Sequence, residues 1–206
     1  WSPDRWAGAK TVVGQPPAGS VDLLWANMLL HTQSRPEDML QQWHQALAVD
    51  GFVMFSCLGP DTVKEMRDLY QQLGWPAAGH NLTDMHDWGD MLVHAGFAEP
   101  VMDMETITLT FASPERLLQE LRELGCNLHP QRFAGLRGRG WLAQLHAALG
   151  QHLRVEHSEG QLALTFELVY GHAFKPAPRV ALEGESTVSL DQMRSMLKQG
   201  REQGLR

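Results

Sequence analysis

Two short apolar runs constrain this chain more than any other feature: Val21-Asp22-Leu23-Leu24-Trp25-Ala26-Asn27 and Phe52-Val53-Met54-Phe55-Ser56-Cys57-Leu58. Each is shorter than a buried helix and stops at a polar residue or at a glycine-proline break, so each reads as a strand buried on both faces. Between them Met39, Leu40, Trp43 and Leu47 recur at helical spacing, behind Ser34, Arg35 and Pro36 at the helix start. Asp50-Gly51 reads as the turn into the second strand. Gly59-Pro60 ends that strand, and Asp61 or Thr62 is placed to cap a helix through Leu73. Strand–helix–strand–helix alternation predicts an α/β fold, a parallel sheet with helices on its faces.

The rest of the chain changes character. Residues 74–80 form a loop, and Thr83-Asp84 opens a helix with Met85, Trp88, Met91 and Leu92 inward and Gly96 as its stop. Residues 101–111 alternate and are rich in Thr, Ile and Leu, which predicts a strand. Ser113-Pro114-Glu115 starts a helix carrying Leu117, Leu118, Leu121 and Leu124, closed by Gly125. A loop with Arg132, Arg137 and Arg139 follows, then a short helix over 141–149 and a second alternating strand over 162–174. The two alternating strands are expected to pair antiparallel, with the helical stretch between them capping the sheet's carboxyl edge. Residues 1–20 are irregular, and the tail from 179 holds a weak terminal helix from Leu190.

Composition narrows the classes. With 43% hydrophobic and 20% charged residues, the 206-residue chain is not wholly disordered. Two cysteines, Cys57 and Cys126, allow at most one disulfide and cannot build a cysteine zinc site. No apolar run approaches the roughly 18 residues of a membrane span, and the opening is unlike a secretory signal, so no membrane role and a cytoplasmic location are expected. The chain opens on Trp1 rather than Met, which fits a piece of a longer protein. Residues 1–129 hold seven basic and seventeen acidic side chains, and residues 130–206 hold ten and seven. That balance argues against a general nucleic-acid binder, while leaving room for an acidic protein partner at the back half.

In open α/β sheets ligands collect at the carboxyl ends of parallel strands. Here those ends are Asn27-Met28-Leu29-Leu30-His31 and Ser56-Cys57-Leu58-Gly59-Pro60-Asp61-Thr62. Asn27 offers a donor and an acceptor there, toward a ligand or as a loop-capping amide. His31 can serve as a base or oriented donor, or satisfy a loop carbonyl. Cys57 lies within a buried strand and reads as a core residue. His80, His86 and His94 are spaced by six and eight, which does not stack on a helix face as metal ligands would. No nucleophile elbow, Walker loop or dinucleotide fingerprint occurs.

The stretch from Val21 to His31 resembles the fourth strand and following loop of class I S-adenosylmethionine-dependent methyltransferases. Further blocks follow in order: residues 55–62, Gly79-His80-Asn81, residues 107–111, 121–127 and 164–171. That series is similar to the BioC-like malonyl-(acyl-carrier protein) O-methyltransferases of biotin biosynthesis, over roughly residues 18–178. The resemblance implies a Rossmann-like sheet of seven strands, six parallel and one antiparallel edge strand, of which this chain supplies the last four. It implies a domain over 21–178, with residues 112–160 as a helical cap insertion over the substrate. It further implies S-adenosylmethionine as cofactor, near Asn27, Met28 and His31, and an acyl-carrier protein or acyl thioester as substrate. His80, Asn81, Arg132, Arg137 and Arg139 are the expected substrate or partner residues.

The chain departs from that pattern. The glycine-rich cofactor loop after the first strand and the acidic residue after the second are absent. Val12-Val13-Gly14-Gln15-Pro16-Pro17 has no acid where the family carries one near the adenine, and Val49-Asp50-Gly51 replaces the usual Pro-Gly-Gly. Two readings follow: the carboxyl-terminal part of a methyltransferase, or a non-catalytic relative acting as a binding or assembly partner.

Overall fold

The computed structural model describes residues 14–125, 127, 129–155 and 161–178. Cys126, Arg179 and the expected terminal helix from Leu190 lie outside them. Strand β1 (Val21–Asn27) runs parallel to β2 (Leu47–Leu58), and α1 (Pro36–Ala46) connects them. Helices α2 (Lys64–Gln72) and α3 (Met85–His94) lead to β3 (Ala98–Phe111); α4 (Pro114–Glu123) and α5 (Arg139–His152) lead to β4 (Leu162–Phe174). β4 lies between β2 and β3 and is antiparallel to both, so the sheet order is β1-β2-β4-β3 and the antiparallel strand is interior, not at the edge where it was expected. The expected antiparallel pairing of the two alternating strands is present, from Ala98↔Phe174 to Phe111↔Leu162.

Strand alternation sorts the apolar residues between two packed clusters. On one face Ala26, Val53, Phe55, Val169 and Ala173 meet Leu40 of α1 and Trp88 and Leu92 of α3. At the far end of β3 and β4, Phe111, Leu162, Leu164 and Phe166 meet Met66 and Leu69 of α2, Leu117 of α4, and Leu145 and Leu149 of α5. Two helix starts follow their sequence signals. The Asp84 carboxylate accepts the His86 N–H at 2.7 Å, and the Ser113 hydroxyl oxygen accepts the Arg116 N–H at 3.3 Å.

Three expectations are corrected. β1 is not buried on both faces: Leu23 and Trp25 are 50% and 78% exposed, and Met54 beside Trp25 is 47% exposed. An apolar run records what its residues prefer, not whether a neighbour covers them. Asp50-Gly51 is not a turn before the strand but a bulge inside a continuous β2. Asp50 sits at φ 64°, and its N–H donates to the Lys175 carbonyl at 2.9 Å while Lys175 N–H donates to the Gly51 carbonyl at 2.8 Å. A side chain at Gly51 would place Cβ 2.9 Å from the Ala48 carbonyl oxygen, so the bulge closes only around glycine. Finally, α2 begins at Lys64 behind Val63 at φ 50°, with no side-chain cap, because Thr62 is engaged elsewhere.

Candidate active site

The loop after β2 is latched to β4. Thr62 Oγ1 donates to the Glu167 carbonyl and accepts the Glu167 N–H, each at 3.1 Å. The Gly59 N–H donates to that same carbonyl at 2.9 Å. The Glu167 carboxylate, 5% exposed, accepts the Asp61 N–H at 3.0 Å. A Cβ on Gly59 would lie 2.4 Å from its Oε2, so glycine makes room for the carboxylate. The Arg67 guanidinium reaches back to the Thr62 carbonyl at 2.7 Å and to the Pro60 carbonyl. Sequence reasoning missed this latch, although a carboxylate inside the apolar alternation of 162–174 was a signal for it.

That latch fixes the rim of a cavity of about 560 Å³ between the carboxyl ends of β1 and β2 and the inner side of α4. Leu58, Val63, Met66, Leu118 and Leu121 make its apolar wall, and Tyr70, His31, His80, Arg67 and Arg122 are among its polar lining. Among the described residues no aspartate or glutamate lines it. Leu58 and Leu124 also line a second cavity, of about 590 Å³, which takes in Met28, Ile107, Phe111, Arg116 and Glu120.

Of the expected site residues, His31 and His80 line this cavity and Met28 lines the second, while Asn27, Arg132, Arg137 and Arg139 line neither. His31 Nδ1 accepts the Leu58 N–H at 3.3 Å, and His80 Nε2 donates to the His31 carbonyl at 3.1 Å. Burial first, and the His80 charge second, hold the His31 imidazole below its ordinary value. Met28 takes a left-handed conformation, φ 54°, and donates its N–H to the Ser56 carbonyl at 2.8 Å. Asn27 is exposed at the strand end, where its Oδ1 accepts the Ser56 hydroxyl. Asn81 is exposed and lines neither cavity. Cys57 is fully buried, and burial pushes its thiol up to about 12, so it is a core residue. Among the described residues no group of three His, Cys, Asp or Glu side chains could hold a metal ion.

The arginine loop sits at the cavity mouth, where the Asn127 amide donates to the Ala77 and Ala78 carbonyls at 2.9 Å. Its three arginines divide. Arg137 is stacked, with its guanidinium 4.6 Å from the Phe133 ring centre and 3.9 Å from that of Trp141. Trp141 continues through Trp75 to Tyr70 on the cavity wall. Arg132 and Arg139 are exposed, and Arg139 opens α5, whose first turn contains no acid. Lys175 does not extend this patch. Its ammonium donates to the Leu47 carbonyl at 2.7 Å, at the opposite end of β2 from Leu58. Among the described residues no helix is long and apolar enough to cross a membrane.

No family model matches the chain. The malonyl-(acyl-carrier protein) O-methyltransferase of Gallionella capsiferriformans is 41% identical over 172 residues, 83% of this chain and 58% of that protein. Its namesake in Laribacter hongkongensis is 40% identical over 163 residues, 79% of this chain and 54% of that protein. The chain thus spans about half the length of the curated relatives it matches. A solved structure from Bacillus halodurans, described as a methyltransferase, aligns with a TM-score of 0.49 at 12% identity, over 78% of this chain and 72% of that one. By its sequence the chain is a part-length relative of the malonyl-(acyl-carrier protein) O-methyltransferases, and its architecture is α/β, an open four-stranded mixed sheet.

Proposed function

We propose that this chain forms the acceptor side of an S-adenosylmethionine-dependent carboxyl O-methyltransferase, acting on a malonyl group carried by an acyl-carrier protein in biotin biosynthesis. The observation that carries the reading is the acid-free, largely apolar cavity at the carboxyl ends of the two parallel strands. The names of the relatives supply the acceptor class. A reducing cytoplasm suits the chain, since Cys57 is a buried free thiol.

When bound, S-adenosylmethionine supplies a methyl group made electrophilic by its sulfonium. The residues present fit one wall of a site for it. Asn27 keeps an exposed amide NH₂ while Ser56 holds its Oδ1, and Met28 and His31 follow at the same edge. They do not by themselves form a complete cradle: residues 14–20 carry no acid for a ribose, and among the described residues no strand with a glycine-rich turn precedes β1. In this reading, the part of a methyltransferase that this chain does not match packs against the uncovered face that carries Leu23, Trp25 and Met54.

The chemistry asks little of a base, because the acceptor carboxylate is already ionised and nucleophilic at neutral pH; alignment and desolvation are needed instead. Leu58, Val63, Met66, Leu118 and Leu121 exclude water from the acceptor. Tyr70, whose phenol burial pushes up, stays protonated and can donate a hydrogen bond. His31 stays neutral, and its Nδ1 positions the Leu58 backbone rather than taking a proton. Arg132 and Arg139 steer an acidic carrier to the mouth. A cation in the first turn of α5 opposes the helix dipole, which is understandable if a partner's negative charge meets it.

The test is a chimera that joins the unmatched amino-terminal part of the Gallionella relative to this chain. Incubated with labelled S-adenosylmethionine, it should methylate malonyl-loaded carrier and leave acetyl-loaded carrier unlabelled. A folded chimera that binds the cofactor but labels neither would overturn the reading.

A further inference from the structure

We propose that Arg122 recognises the free carboxylate of the acceptor, making the cavity selective for an acyl thioester that ends in an acid over one that ends in an ester. This rests on the acceptor reading above. Four basic side chains stand on α2 and α4 beside the two cavities, and three are already satisfied. Arg67 donates to the Thr62 and Pro60 carbonyls, Lys64 pairs with Asp61 at 2.8 Å, and Arg116 pairs with Glu120 in the second cavity. Arg122 lines the first cavity and has no side-chain partner among the described residues. Among the described residues no carboxylate lines that cavity to neutralise it, whereas Glu120 and Glu123 line the second.

The guanidinium is carried on a fixed base. Arg122 sits in the last turn of α4, where its carbonyl accepts the N–H groups of Leu124 and Gly125, and Gly125 at φ 128° ends the helix. Leu118 and Leu121, within one turn of it, belong to the apolar wall. A lone cation beside an apolar wall favours a ligand with an apolar stem and an anionic end. The planar fork of arginine matches a carboxylate at two points, and one carboxylate oxygen can still face a methyl donor. Once that oxygen carries a methyl group the negative charge is gone, and the ester loses the charge-assisted bond. The same contact therefore selects the substrate and loosens the product.

The experiment uses the 206-residue chain and two probes, the malonyl thioester of N-acetylcysteamine and its methyl ester, titrated by NMR. The unaltered chain should bind the acid about tenfold more tightly than the ester, as loss of one charge-assisted bond implies. Arg122→Gln should bring the two within about twofold, while Arg116→Gln keeps the preference. Arg122 is exposed, so circular dichroism of the variant should match the parent. If Arg122→Gln retains the acid preference, Arg122 is not the recognising group and the acceptor reading stands. If the unaltered chain shows no preference for the acid, the acceptor reading falls with it.

Discussion

At the scale of single residues, electrostatics and burial assign different work to side chains that look alike in the sequence. Arg132, Arg137 and Arg139 form one basic cluster on paper, but the Phe133 and Trp141 rings hold Arg137 in a stack. Reversing Arg132 and Arg139 to Glu in the chimera should slow association with an acidic carrier about tenfold at low salt, an effect that shrinks as salt screens it. Stopped-flow association at two ionic strengths checks this; an unchanged rate would make the pair bystanders. His31 gives a pH dependence. Its ring is held neutral, below the ordinary value of 6.5, whereas in the unfolded chain it takes a proton near that value. Stability is therefore fully present above pH 6.5 and falls as pH drops toward the folded-state value. His44, lowered by burial and then by Lys175, adds in the same direction. His31→Asn, which keeps an acceptor for the Leu58 N–H, should flatten the fall in urea-unfolding stability as pH drops below 6.5. An equally steep fall in that variant would show that His31 does not carry it.

At the scale of elements, α4 matters most, because it bears both the apolar wall of the cavity and Arg122. Ser113 caps it, and Ser113→Ala should cost about 1 kcal/mol in urea unfolding. A loss below a few tenths would mean that Pro114 at the first turn sets the helix start unaided. Elements such as this one were legible in the sequence because several local signals agreed. Ser113 and Gly125 bracket α4, and Asp84 and Gly96 bracket α3, each around an apolar helical period. The parallel pairing of β1 with β2 and the antiparallel pairing of β3 with β4 followed from the same reasoning. What was not legible depended on distant partners. Asp50-Gly51 carries the local chemistry of a turn, yet Lys175 at the end of β4 pairs with it and makes it a bulge. Thr62 looks like a helix cap, yet Glu167, 105 residues away, claims its hydroxyl. In the candidate site, His31 was singled out from its strand end and His80 from the resemblance, but Arg122 was not. Its value comes from the missing partner and the acid-free wall, which only the folded arrangement brings together.

At the scale of the whole molecule, one face of the sheet is covered by α1 and α3, while on the other the far end of β3 and β4 is packed and the β1–β2 end is bare. Ala26, Val53 and Phe55 are buried under α1 and α3, while Leu23, Trp25 and Met54 on the opposite face stand open. Among the described residues β1 pairs only with β2, so its outer edge also offers backbone groups to a further strand. A half-covered sheet with a formed cavity at its carboxyl edge is what an acceptor side without a complete cofactor cradle should look like. That claim is tested most directly by calorimetric titration of S-adenosylmethionine into the 206-residue chain and, in parallel, into the chimera. The expected result is no measurable binding by the chain and saturable binding by the chimera. Micromolar binding by the chain alone would contradict the account, because Asn27, Met28 and His31 would then belong to a site already complete.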